Sequence, residues 1–112
     1  MGARSNLGEF EQLVLLAILQ LDDDAYGPSI SNLLEQALGR PVSRGALYSA
    51  LARLEQKAFL QWTVEAASSG RGGNRNRRFA VTEQGVETLR EARAALMTLS
   101  EGLESRLEKV DR

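Results

Sequence analysis

The chain has 112 residues, 43% of them apolar and 26% charged, which fits one folded domain with at most a short extension and excludes wholesale disorder. It contains no cysteine and no histidine, so thiolate and imidazole chemistry is excluded; no metal, no cofactor and no enzymatic activity are expected. The longest apolar run, Leu13 to Leu19, is too short to span a bilayer and no export signal opens the chain, so a cytoplasmic protein without a membrane partner is expected.

The net charge is only −1, but it is unevenly spread. Residues 41–78 carry six arginines and Lys57 against Glu55 and Glu65, whereas both flanking thirds are acidic. Arginine forms forked bonds to phosphates and base edges. A basic central third therefore suggests a polyanionic partner, although an ordinary solvated face has the same composition.

In chain order, Phe10, Leu13, Val14, Ala17, Ile18 and Leu21 recur at helical spacing and predict a first helix over about residues 8–21. Asp22, Asp23 and Asp24 end it, because carboxylates oppose the dipole at a helix C-terminus. Gly27-Pro28-Ser29 reads as the next start and Gly39 as its stop, around a stripe of Ile30, Leu33, Leu34, Ala37 and Leu38. After Arg40-Pro41, Ser43 is a natural N-cap for a third stripe of Leu47, Ala50, Leu51, Leu54 and Ala58. Two short helices across a tight break form a helix-turn-helix pattern.

Residues 61–65 and 78–82 have strand composition. The residues between them, 68–77, are rich in glycine and arginine without an acid, so they read as the loop of a β-hairpin with a basic tip. Thr82 should cap a final helix running almost to the C-terminus, about 40 Å at 1.5 Å per residue, which Gly102 only weakens. Leu89, Leu96, Leu103 and Val110 are spaced by sevens, and with Leu99 and Leu107 they form a seam suited to a second copy.

The expected fold is mainly α: a winged helix-turn-helix with a two-stranded β wing over residues 1–82, and a long C-terminal dimerisation helix over 83–112. On the third helix, Tyr48, Ser49 and Arg53 lie opposite the core stripe, with Ser43 and Arg44 at the N-terminus that usually reaches base edges. Tyr48 has two readings: a hydroxyl on a phosphate, or a flank residue packed on a neighbouring helix. Arg71, Arg75 and Arg77 on the hairpin would add phosphate contacts, and alternation forbids Arg77 and Arg78 from facing the duplex together. Two copies related by a twofold axis would match half-sites about 34 Å apart on double-stranded DNA.

Leu13 to Leu19, Ala25-Tyr26-Gly27, Ser43-Arg44-Gly45-Ala46-Leu47-Tyr48, Arg53-Leu54-Glu55, Arg78-Phe79 and Thr82-Glu83-Gln84-Gly85 follow one another along the chain. In these motifs the sequence resembles the PadR family of transcriptional regulators. The resemblance implies a homodimer that binds palindromic operators, usually as a repressor, with the single C-terminal helix of the short subfamily. Two departures stand out. Ala80 follows Phe79 where many relatives have a second aromatic residue, and the long helix carries no aromatic residue with which to stack a flat drug. No small-molecule effector is named by the sequence. The competing reading is a winged-helix protein-interaction module that does not bind DNA.

Overall fold

Ser43 accepts the Ala46 N–H on its Oγ at 3.0 Å, and Thr82 accepts the Gly85 N–H at 3.0 Å. These caps satisfy otherwise orphaned donors and start two helices at the positions their residue types dictate. The computed structural model describes residues 7–66 and 75–108. Its helices are α1 (Glu9–Leu21), α2 (Gly27–Leu38), α3 (Arg44–Gln56), α4 (Glu83–Ser100) and α5 (Glu104–Glu108), and its strands are β1 (Leu60–Ala66) and β2 (Arg75–Val81). A short 3-10 turn over Asp22–Asp24 follows α1, and Gly39 ends α2 in the left-handed conformation that glycine adopts without strain.

The core lies where α1, α2 and α3 meet the inner face of the hairpin. Val14, Leu15 and Ile18 of α1 pack with Ile30 and Leu34 of α2 and with Leu47, Ala50, Leu51 and Leu54 of α3. Phe59, Leu60, Phe79 and Leu89 close it from the wing and α4. The apolar stripes read from sequence supply these buried faces in α1, α2 and α3, except that Ala37 of the α2 stripe is exposed. Gly85 allows α4 to start against the wing base, since a Cβ there would strike the Phe59 carbonyl and Val81.

β1 and β2 pair antiparallel in one two-stranded sheet, with Leu60 opposite Val81, Trp62 opposite Phe79 and Val64 opposite Arg77. The hairpin is anchored to the helices by the Phe79 N–H, which donates to the Ala25 carbonyl at 2.9 Å. The architecture is a mainly helical winged helix-turn-helix with a β wing and a long C-terminal helix.

Three local expectations need correction. β2 begins at Arg75, three residues before the predicted strand, because Arg75, Asn76 and Arg77 pair with Ala66, Glu65 and Val64 despite their polar composition. Ala58 does not extend the α3 stripe: the helix stops at Gln56, and Ala58 is exposed with φ 68°. The terminal helix is not continuous to its end. α4 has 18 residues, about 27 Å at 1.5 Å per residue, and Gly102 at φ 83° turns the chain before α5. Glycine is the residue type that enters that conformation without a Cβ clash, so it breaks the helix instead of merely weakening it.

Candidate nucleic-acid interface

The N-terminal half of α3 and strand β2 of the wing converge on Tyr48. The Arg44 guanidinium lies 5.5 Å from the centre of its ring, and the Arg77 guanidinium lies 5.9 Å from it. Arg44, Gly45, Tyr48 and Arg77 line one open groove, with no carboxylate in its lining among the described residues. Gly45 has nothing within 4 Å of the position its Cβ would occupy, so the groove floor is open to an approaching ligand. Sequence reasoning placed Arg44 and Tyr48 on α3 and Arg77 on the wing; the fold brings all three together.

Tyr48 is half-buried, and a Cβ on Gly27 would collide with its hydroxyl, so the ring packs closely over the start of α2. The ring thus packs on the neighbouring helix with its hydroxyl end against Gly27, not directed into water, and it also lines the groove. Ser43 uses its hydroxyl as the α3 cap. Ser49 accepts from Arg53 Nη1 at 3.1 Å.

Strand alternation separates Arg77 from Arg78 as expected. Arg77 shares a face with Trp62 and Phe79, whereas Arg78 turns to the opposite face. There Arg78 pairs with Asp23 at 3.3 Å and Glu65 at 3.1 Å. Tyr26 donates its hydroxyl to the same Glu65 at 2.9 Å, and this bond to a carboxylate raises the pKa of the phenol, with burial and the Glu65 charge acting in the same direction. Arg75 opens β2, and Arg71 lies outside the described residues.

Arg53 is held by an acid that sequence reasoning passed over. Its Nε donates to Glu11 Oε2 at 2.9 Å, and Lys57 Nζ donates to Glu11 Oε1 at 2.8 Å. Glu11 is only 4% exposed. Burial raises its pKa, but the bonds from Lys57, the Gly8 N–H and Arg53 outweigh burial and hold the carboxyl below its ordinary range. A signal was available: Glu11 lies in register with Leu15 and Ile18 on the core stripe, where an acid requires a partner.

Leu19 and Val64 aside, the exposed large apolar residues lie toward the C-terminal end: Leu96 and Met97 are each 61% exposed, Leu99 is 78%, and Leu103 and Leu107 are exposed as well. Leu89 is buried within the protomer and does not belong to this exposed face. Val110 lies outside the described residues.

The model of the PadR-like transcriptional regulator family matches residues 15–91, which takes in the helix-turn-helix, the wing and the first half of α4. The chain belongs to this family. Its fold is similar to that of a PadR family transcriptional regulator from Eggerthella lenta, with a TM-score of 0.67 and 28% identity over 91% of this chain and 88% of that one. A PadR-like regulator from Bacillus cereus gives a TM-score of 0.69 with 24% identity over 91% and 93% of the two chains. RosR of H. salinarum gives 0.69 with 22% identity over 92% and 88%. No curated protein matches the chain. As a PadR-like protein it is a transcription regulator, and among the described residues no helix is long and apolar enough to cross a membrane.

Proposed function

We propose that this PadR-like regulator is a homodimeric repressor that binds a palindromic DNA operator in the cytoplasm. The observation that carries the reading is the convergence of Arg44, Tyr48 and Arg77 around one groove, at the helix end that enters the major groove in helix-turn-helix proteins. Two guanidiniums there can fork onto phosphates or guanine edges. Ser43, Ser49 and Arg53 line a second groove along α3, with Arg53 anchored by Glu11, and would add contacts there. Arg71 and Arg75 would extend the contact along the wing.

Dimerisation is supported by the leucine patch of α4 and α5. Leu96, Leu99, Leu103 and Leu107 stand in solvent in the single chain, and a second copy would cover them. Family membership supports the same arrangement. In this scheme residues 1–82 hold the duplex and 83–112 set the spacing of the two halves.

The test is a fluorescence anisotropy titration against duplex fragments selected from the protein's own genome, at low and moderate salt. Saturable binding that falls steeply with salt and prefers one palindrome is expected. Absence of binding even at low salt overturns the reading.

A further inference from the structure

Trp62 is the chain's sole tryptophan, and nothing in the contacts proposed above uses it. Its indole nevertheless lies against the wing arginine of the groove. The Arg77 guanidinium carbon is 4.9 Å from the centre of the Trp62 ring and 5.4 Å from that of Phe79, in addition to 5.9 Å from Tyr48. Strand register accounts for this: Trp62 is opposite Phe79 and Val64 is opposite Arg77, so ring and guanidinium share one face of the hairpin. The indole is itself tied to α3, because Nε1–H donates to Glu55 Oε2 at 2.9 Å.

The manner of holding matters. Arg53 and Arg78 are held through their N–H groups, which carboxylates and Ser49 occupy. Arg77 instead lies over aromatic rings, within 6 Å of the centres of Trp62, Phe79 and Tyr48. A guanidinium carries its donors in its plane, so stacking restricts the side chain without consuming its donors or neutralising its charge. An exposed arginine that is ordered beforehand has less rotamer freedom to lose when it meets a phosphate.

We propose that Trp62 is a positioning residue for DNA binding: braced by Glu55, its indole holds Arg77 beside Arg44 with the donor edge of the guanidinium presented to the duplex. This rests on the DNA-binding reading above and adds the device that orients one of its contacts.

Two measurements test it. In the free protein, tryptophan emission reads Trp62 alone, and Arg77 is an exposed side chain whose removal leaves the core intact. Arg77→Ala should shift the emission maximum or alter acrylamide quenching; an unchanged spectrum overturns the stack. On DNA, Trp62→Leu should weaken binding about threefold to tenfold in the parental background. It should add less than about twofold once Arg77→Ala is present, since contacts that act as a unit are not additive. Trp62→Phe, which keeps a ring, should retain most of the affinity. Parental affinity in Trp62→Leu, or equal losses with and without Arg77, overturns the positioning role while leaving the DNA-binding reading intact. Failure of the parental protein to bind any duplex overturns both.

Discussion

Glu11, on the first turn of α1, and Arg53, near the end of α3, are joined by a 2.9 Å bond across 42 residues of sequence. Lys57, one turn beyond Arg53, closes on the other oxygen of the same carboxylate at 2.8 Å. The buried acid thus fixes where α3 ends relative to α1. It also takes up the charge of two cations that would otherwise repel one another at the domain's edge.

Glu11→Gln should therefore lower stability at neutral pH by about 1–3 kcal/mol, the usual range for hydrogen bonds to charged groups, reduced because Arg53 is half exposed. The loss should depend on pH. The folded-state pKa of Glu11 is lowered, so its contribution is complete above the ordinary glutamate value and disappears as pH falls through the lower folded value. Urea denaturation of both proteins should show the gap closing on acidification; a gap that stays constant to acid pH would contradict the assignment.

Arg44→Ala should weaken binding across all sequences and flatten the salt dependence. Each phosphate contact contributes about 0.9 to the slope of log K against log salt, so a dimer losing one contact per protomer should lose about two units. Anisotropy titrations at several salt concentrations measure this. A slope that is unchanged while specificity falls would instead place Arg44 on a base edge.

Leu99→Lys tests the second-copy reading of α4. At 78% exposure the side chain supports nothing in its own protomer, so the monomer's fold should survive while self-association falls. Sedimentation equilibrium should show a shift from dimer toward monomer, with DNA affinity falling in parallel because half-site binding is lost. A dimer of unchanged strength would put the interface elsewhere.

Most of this fold was legible because its punctuation is local. Ser43, Thr82, Gly39 and Pro28 act through their own or adjacent backbone, and the stripes of α1 and α3 follow from period alone. The less legible parts depend on tertiary partners. Arg75 to Arg77 look like loop until the opposing strand supplies their hydrogen bonds. Arg53 looks like a free groove contact until Glu11 arrives from the other end of the domain. Gly102 was read by propensity, which rates its energetic effect in a helix but not its ability to turn the chain. On the interface, alternation separated Arg77 from Arg78, yet which rings would receive Arg77 required the packing of the wing on α3.

Gly45 offers a test in which stability and function should move in opposite directions. It is the second residue of α3, at an exposed position, where glycine loses more backbone freedom than alanine would. A Cβ there meets no atom within 4 Å, so Gly45→Ala should stabilise the free protein by about 0.5–1 kcal/mol. The same methyl group would project from the groove between Arg44, Tyr48 and Arg77. If a duplex enters there, the added group should hold it off and reduce affinity even as the melting temperature rises. Thermal melts and anisotropy titrations of the one variant read both effects. A rise in stability with undiminished affinity would show that the DNA backbone does not approach α3 at Gly45, and the docking of this helix would have to be redrawn.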